Sequence, residues 1–343
     1  MDESLFFYAK IFDAKCHMAP RVTTIVMYPR PQPDTICAYF LLKQFGEEQH
    51  PGISEAKLEF WNQVRPEKTP AEWEQAGYLL IDLGGGKFDH HRDDHATKSE
   101  TAATLVAKHL GVSTDPALRK LLTYVKRDDL EGRGIVSKDI LDRAFGLSAI
   151  IMNLNRDYPA HPDFVVDTVY RIFLAHFHEE YRRKVLIPKE WQELQQQGRA
   201  IRLNVATPAR PLHVVLVESD SKTLVGFLRA VKSVQADLVV QRQSTGHTNI
   251  VTNQNKGIRL DLRPVAEVVR RLEAKRKSLD ISGFNHDQLQ KPGRLEGLEE
   301  WFYDNAANTL QNGGAAAEGI TPTRITLPEM QRILEKTLPR ATV

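Results

Sequence analysis

The sequence predicts an α/β protein with a parallel-sheet domain, a helical linker and a smaller α/β domain. Its 343 residues exceed what one ordinary hydrophobic core supports, so two domains are expected. Strand-like apolar runs alternate with helical stretches in the first part, which is typical of a parallel sheet. Short strand-like segments return after Gly198. We therefore place the first domain at residues 1–145, the linker at 146–199 and the second domain at 200–343.

The first predicted element is a β-branched strand over residues 22–27. A loop stiffened by Pro29, Pro31 and Pro33 follows, and Asp34 opens a helix. Strand, loop and helix in this order form the start of a βα unit. Further strands are predicted at 58–61 and 77–83, and further helices at 99–109, 116–126 and throughout 137–197.

The second predicted domain contains strands and helices of similar length. The strands are predicted from apolar and β-branched runs, and the helices from apolar residues at helical spacing. Strands are predicted at 201–205, 212–217, 236–241 and 248–252, and helices at 223–231, 264–275, 295–310 and 327–338.

Composition limits the class of protein. Hydrophobic residues are 41% and charged residues 26% of the chain, as in ordinary globular proteins. No apolar run approaches the roughly 18 residues that span a bilayer, and the acidic N-terminus lacks the basic start of a signal peptide. Cys16 and Cys37 have no metal or redox spacing. We expect a cytoplasmic protein that does not bind membranes, and a homodimer is among the assemblies the sequence permits.

Charge is divided unevenly along the chain. Residues 1–180 contain 21 Lys and Arg against 27 Asp and Glu, whereas residues 181–343 contain 25 against 17. A metal-binding domain beside an anion-binding domain would give this division. Chance variation in surface charge would give it equally well.

The segment from Asp82 to His91 carries the strongest chemical signal. Asp82 ends an apolar strand, where ligand sites of open parallel sheets lie. Three glycines then allow a sharp turn, and Asp89, His90 and His91 follow. Carboxylate and imidazole together favour Mn²⁺, Fe²⁺ or Zn²⁺ over ions that prefer oxygen alone. Asp93, Asp94 and His95 come next in the chain and are either outer ligands or solvated side chains.

These residues resemble a known family. Leu80-Ile81-Asp82 followed by Asp89-His90-His91 is similar to the second and third motifs of the DHH phosphoesterase superfamily, which includes RecJ-type exonucleases, nanoRNases and manganese pyrophosphatases. Residues 99–106 resemble the helix that follows these motifs. The resemblance covers about residues 20–150. It implies a DHH-type catalytic domain that hydrolyses phosphoesters with a metal-activated water.

The resemblance also implies a ligand set. The family's first motif, His-X-X-X-Asp-X-Asp, is retained here only at Asp34, because Tyr28 and Gln32 occupy the first two ligand positions. One ion position therefore keeps its ligands and the other loses most of them. We expect Mn²⁺, or another divalent ion such as Mg²⁺, with one or two ions bound. The implied ligands are Asp34, Asp82, His90 and either Asp128 or Asp129.

Three further residues receive catalytic roles. Asp89 would orient a histidine ring through its second nitrogen. His91 would contact the phosphate or protonate the leaving group. Arg30, on the loop that lacks two ligands, would replace a cation's charge with its own. The alternative for Arg30 is an ordinary exposed loop arginine.

The second domain carries the predicted substrate contacts. Arg242, Gly246 and His247 lie between two predicted strands and would hold a phosphate, the alternative being a plain hairpin turn. Gly313 and Gly314 would form a second backbone nest. Residues 301–303 are either base-stacking or core aromatics. The basic helix end at 270–277 either follows a nucleic-acid backbone or is a solvated face.

Together these features predict a metal-dependent phosphodiesterase or exonuclease, with its site between the two lobes. Its substrate would be a nucleotide or a short or single-stranded nucleic acid. The alternative is a catalytically impaired DHH-fold protein that binds nucleotide or nucleic acid, because fold and activity separate readily.

Overall fold

The computed structural model describes residues 20–91, 99–132, 138–256, 260–312 and 319–340. The fold is mixed α/β, and the chain divides into two compact units, Met1–Lys184 and Val185–Val343. The helices of the predicted linker are divided between these units rather than forming a separate region. In the described part of the chain, no helix has the length and apolar character to cross a membrane.

The first unit is built on a small parallel sheet. Its strands are β1 (Thr24–Met27), β2 (Lys57–Phe60) and β3 (Tyr78–Leu80), in the order β2-β1-β3. Both β2 and β3 pair in parallel with β1, whose residues are all buried. Since the strands are parallel, their carboxyl ends lie at one edge of the sheet. The sequence predicted each of these strands within a few residues.

Helices cover this sheet. The first, α1, begins at Pro33, where proline is well tolerated because the first N–H groups of a helix have no intrahelical partner. It contacts three other helices of the unit, which explains why it is apolar on most sides. The helices are α1 (Pro33–Phe45), α2 (Pro70–Gln75), α3 (Ala102–His109), α4 (Arg119–Glu131), α5 (Ile140–Phe145), α6 (Leu147–Asp157) and α7 (Pro162–Tyr181).

The second unit contains a larger mixed sheet of seven strands. Its order is β4-β5-β6-β7-β10-β9-β8, and β5 and β6 are its parallel pair. A π-helical turn, Arg182–Leu186, leads into the first helix of this unit. The strands are β4 (Ala200–Val205), β5 (Leu212–Glu218), β6 (Leu238–Arg242), β7 (Thr248–Thr252), β8 (Gly293–Leu295), β9 (Leu298–Asp304) and β10 (Thr309–Gln311). The helices are α8 (Ile187–Gln196), α9 (Leu224–Ala230), α10 (Arg263–Arg276), α11 (His286–Leu289) and α12 (Leu327–Thr337).

The prediction of a helix over residues 295–310 is wrong, because β9 and β10 lie in this stretch. Trp301 and Tyr303 are buried while Phe302 between them is half-buried, and this period of two belongs to a strand. Asn308 then takes a left-handed conformation (φ 50°) and turns the chain into β10. Trp301 and Tyr303 are therefore core residues rather than a stacking platform.

Candidate metal centre

Asp34 lies in the first turn of α1, after the loop that leaves β1. It is 2% exposed, and its two carboxylate oxygens accept hydrogen bonds from the backbone N–H groups of Ala102 (2.8 Å) and Ala103 (3.0 Å). These groups begin α3, where amides have no partner within the helix. Asp34 therefore joins two helices and still has lone pairs for a cation.

Asp82 follows β3 at the same edge of the sheet. It adopts the left-handed conformation (φ 50°), which aspartate tolerates better than most residues. Its N–H donates to the carbonyl of Phe88 (3.1 Å), so the intervening glycine loop closes on itself. Gly84 is required there by both φ (+66°) and space, because a Cβ would lie 2.0 Å from Cγ2 of Val64.

Asp89 fastens this loop from within. Its Oδ2 accepts from the N–H of Gly85 (2.6 Å), and its Oδ1 accepts from the N–H of His91 (2.9 Å). Asp89 is buried, so these bonds form away from water. They give Asp89 a role in fixing the loop, whereas the sequence assigned it to orienting a histidine ring.

His90 lies at the centre of the cluster. Its Nε2 is 3.4 Å from Asp82 Oδ1 and 3.4 Å from Asp129 Oδ2. Nε2 of His91 is 3.7 Å from the same oxygen of Asp82. Two groups of ligand atoms result, each within 4.8 Å: Asp82 with His90 and His91, and Asp34 with His90 and Asp129.

Three atoms of this cluster fit a cation. Asp82 Oδ1, His90 Nε2 and Asp129 Oδ2 are all buried and have no hydrogen-bond partner among the described residues. Such atoms are costly to bury unless something satisfies them. Ligands about 2.1 Å from one ion and at right angles are about 3.0 Å apart, close to the 3.4 Å separations seen here. Three carboxylates with imidazole suit Mn²⁺, among other divalent ions.

The electrostatics point the same way. Burial raises the pKa of Asp34 to about 7, and it also raises the pKa values of Asp82 and Asp129. Asp82 and Asp129 both lie near Asp34, and Asp129 also lies near Asp82. The negative charge of each carboxylate therefore disfavours ionisation of the others. A bound cation would favour the ionised forms and relieve this repulsion.

The structure distinguishes the two candidate aspartates on α4. Asp129 faces the cluster, with Oδ2 at 3.4 Å from His90. Asp128, about 100° further round the helix, accepts a 2.6 Å hydrogen bond from the hydroxyl of Ser148. Asp129 is therefore the residue whose carboxylate joins the ligand atoms.

The remaining predicted residues of this domain that the structure describes have exposed side chains. The side chain of His91 is 69% exposed, and its ring packs beside that of His90 with centroids 4.0 Å apart. Arg30 is exposed, and no described contact joins it to the cluster. Tyr28 and Gln32, which stand where the resemblance would require two ligands, are exposed as well. Asp93, Asp94 and His95 lie outside the described residues.

In the second unit, Arg242, Gly246 and His247 come together at the β6–β7 loop. Arg242 donates to the carbonyl of Ile325 (2.9 Å), and Nε2 of His247 lies 3.1 Å from the carbonyl of Ile320. Gly246 has φ +87°, and a Cβ there would lie 3.2 Å from Cβ of Pro322. This loop thus packs against residues 320–325. Gly313 and Gly314, the other predicted substrate contacts, lie outside the described residues.

Most basic residues at the C-terminal end of α10 already have ion-pair or hydrogen-bond partners. Arg270 is fully buried, and Arg271 pairs with Glu267 (2.8 Å). Arg276 pairs with Glu329, and Lys277 pairs with Glu300. These pairs leave little unpaired positive charge on this helix end to follow a nucleic-acid backbone.

Sequence reasoning missed one pair beside the glycine loop. Nε2 of His50 lies 3.0 Å from Nε2 of His109, and Lys87 of the loop lies 3.3 Å from the same nitrogen of His109. Burial, with His109 and Lys87 nearby, lowers the pKa of His50 to about 4. The two histidines are far apart in sequence, and no spacing pattern connects them.

Comparisons with known proteins add little. No protein-family model and no curated protein matches this chain. The crystal structure of an uncharacterised protein from Helicobacter pylori G27 aligns over 94% of this chain and 100% of its own, at 11% identity and a TM-score of 0.25. So low a score carries no argument about fold or function.

Proposed function

We propose that this protein is a metal-dependent phosphoester hydrolase whose first unit is a DHH-type catalytic domain. One observation carries the proposal: Asp82 and His90 of the glycine loop, and Asp129 from a distant part of the chain, present buried and unpartnered ligand atoms to one another. Asp34, in the first turn of α1, joins His90 and Asp129 to complete the set. These are the ligands that the family resemblance implied.

The ion-binding residues would be Asp34, Asp82, His90 and Asp129, with Mn²⁺ the ion that their chemistry favours. Tyr28 and Gln32 offer no strong ligand for a second ion. His91 and Asp82 remain as partners for it, so we propose one strong ion position and one weak one.

The chemistry would be hydrolysis of a phosphoester. A divalent ion in this cluster supplies Lewis acidity and an activated water. Asp89 holds the glycine loop closed, and so fixes the positions of Asp82 and His90 relative to each other. His91, exposed at the rim, would protonate the leaving oxygen or bind the phosphate. Arg30, also exposed, would neutralise an incoming phosphate.

The proposed substrate is a nucleotide or a short or single-stranded nucleic acid. Arg242, Gly246 and His247 of the second unit would bind its phosphate. Arg242 lies beside Gly246, whose added Cβ would be 3.6 Å from a terminal nitrogen of Arg242. In the neutral form, His247 donates from Nε2 to Ile320 and accepts at Nδ1 from Thr245, so its ring is held in place and would shape the loop while Arg242 donates to the phosphate.

The test is hydrolysis of a substrate panel under Mn²⁺: bis-p-nitrophenyl phosphate, dinucleotides, labelled single strands and pyrophosphate. Mn²⁺ binding is measured in parallel by equilibrium dialysis. We expect His90→Ala to lose both binding and hydrolysis. His178→Ala, which changes an exposed histidine of α7, is the matched control and should keep both. Equal hydrolysis by wild type and His90→Ala would overturn the assignment.

The replacement of two family ligands by Tyr28 and Gln32 favours a second candidate function. In it the protein binds a nucleotide or nucleic acid on the same fold without hydrolysing it. Wild-type protein that binds nucleotide but hydrolyses no member of the panel would support this function over the enzyme.

A further inference from the structure

Helix α6 is joined to two of the three elements that bring acidic ligands to the metal cluster, those that carry Asp129 and Asp34. The hydroxyl of Ser148 donates to Asp128 Oδ1 (2.6 Å), next to Asp129 on α4. The side-chain amide of Asn155 donates to the carbonyl of Pro31 (2.9 Å), on the loop that leads to Asp34. Neither α6 residue is itself a candidate ligand.

The two donors share one face of α6. They are seven residues apart, which is close to two helical turns and about 10 Å along the axis. Ile151, between them, is 1% exposed and holds the helix against the core of the unit. α6 is therefore a rigid element with a fixed distance between its two contacts.

The turn of α4 that carries Asp129 needs such a contact. It is the last turn of the helix, which ends at Glu131 before Gly132, and last turns fray because their carbonyl groups lack intrahelical partners. Asp128, Asp129 and Glu131 also place negative charge at the negative end of the helix dipole, with no basic residue in that turn. The bond from Ser148 offsets part of this cost at Asp128.

The loop before Asp34 has few other ways to be held. Pro29 and Pro31 have no N–H, so two of the five residues between β1 and α1 cannot donate a backbone hydrogen bond. A carbonyl oxygen is the backbone group that a proline still offers. Asn155 uses the one at Pro31, three residues before Asp34.

We propose that Ser148 and Asn155 are positioning residues for the metal site, which set the distance between Asp34 and Asp129 through α6. This inference rests on the proposed metal-binding function and deepens it. The two adjacent aspartates then have different roles. Asp128 accepts the hydrogen bond that holds the end of α4, and Asp129 faces the ion.

The experiment measures the Mn²⁺ dissociation constant by titration calorimetry, and the melting temperature of the metal-free protein, for a set of variants. Ser148→Ala and Asn155→Ala should weaken Mn²⁺ binding by about 10-fold, the lower end of the range for losing a hydrogen bond to a ligand, because each residue contacts a neighbour of a ligand rather than the ligand itself. Ser148→Thr retains the hydroxyl and should restore affinity. Asp128→Asn retains an acceptor oxygen and should bind far better than Asp129→Asn.

Thr168→Ala is the matched control. It removes a hydroxyl that donates to a backbone carbonyl on α7 (Phe164, 2.8 Å), and it should bind Mn²⁺ like wild type. A purely structural role would lower the melting temperature in Ser148→Ala without changing its Mn²⁺ affinity, and that result overturns the inference. If wild-type protein binds no Mn²⁺, the proposed function fails as well, so the two failures are distinguishable.

Discussion

A polar cluster buried in the first unit and an arginine buried in the second differ in how their polar atoms are satisfied. In the first, Asp82, His90 and Asp129 turn unpartnered atoms toward one another. In the second, both terminal nitrogens of the fully buried Arg270 donate to backbone carbonyl groups. These are Leu289 (2.7 Å), Lys291 (2.9 Å), Gly293 (2.6 Å) and Trp301 (3.3 Å). The difference teaches that burial of charge alone does not mark a site, whereas converging unsatisfied atoms do.

The largest expected effect tests the second unit. Arg270→Met should lower the free energy of unfolding by more than about 3 kcal/mol, because several buried carbonyl groups lose their donor. Arg271→Met is the matched control on the same helix, where a half-exposed pair with Glu267 is worth about 1 kcal/mol or less. Urea denaturation followed by circular dichroism measures both. Equal losses in the two variants would contradict the structural role of Arg270.

The second prediction tests the first unit by the same measurement. Asp82→Asn should leave the metal-free protein as stable as wild type or slightly more so, because it removes charge from a crowded acidic cluster. Wild type should gain about 2.7 kcal/mol when Mn²⁺ is present at 100 times its dissociation constant, and the variant should gain far less. A large loss of stability in the metal-free variant would place Asp82 among structural residues like Arg270.

The glycine loop gives a smaller, ranked effect. Gly84→Ala should destabilise the protein by about 2 kcal/mol, because it adds a clash with Val64 to an unfavourable φ. Gly85→Ala should cost about 1 kcal/mol, since φ is +72° but nothing lies within 4 Å of the added Cβ. Thermal melts in chelator measure the pair. The reverse order would show that the loop is not packed on Val64.

The smallest effect in wild type is the pH dependence of stability, because the raised pKa values of Asp34, Asp82 and Asp129 and the lowered pKa values of His50 and His109 act in opposite directions. Asp34 has a pKa raised to about 7, so its contribution is lost as pH rises from about 4 to 7. His50 has a pKa lowered to about 4, so its contribution is lost as pH falls from about 6.5 to 4.

Single variants should separate these opposing slopes in metal-free protein. Relative to wild type, the stability of Asp34→Asn should rise as the pH increases, and the stability of His50→Gln should fall as the pH increases. Denaturant titrations at several pH values between 4 and 7, in chelator, give the two difference curves. Parallel curves for the two variants would contradict the opposite pKa directions.

Much of the candidate site was predictable because its signal is local. The run from Asp82 through the glycines to His90 and His91 places strand, turn and ligands within ten residues, and the structure brings Asp82, His90 and His91 together. Asp34 was implied as a ligand by the family resemblance, which places it at the end of the first motif. The choice between Asp128 and Asp129 was not readable, because adjacent helix residues differ only in the direction they face.

The wrong and the missed predictions also reflect the local nature of the sequence signal, because they concern contacts between residues that lie apart in the sequence. Residues 298–311 contain enough apolar side chains for either period, and only pairing of β9 and β10 makes them strands. The His50–His109 pair and the contacts of Ser148 and Asn155 join residues that are distant in sequence, so no local pattern reveals them.

The sequence by itself determined the α/β class, the parallel direction of the strands in the first sheet and the ligand types at the glycine loop. These depend on periodicity, turn chemistry and the donor atoms of side chains, all of which are local. Tertiary structure decided which aspartate faces His90, which basic residues are already paired, and that α6 contacts the elements that carry Asp34 and Asp129. Those outcomes depend on the directions and distances between elements, which packing sets and composition does not.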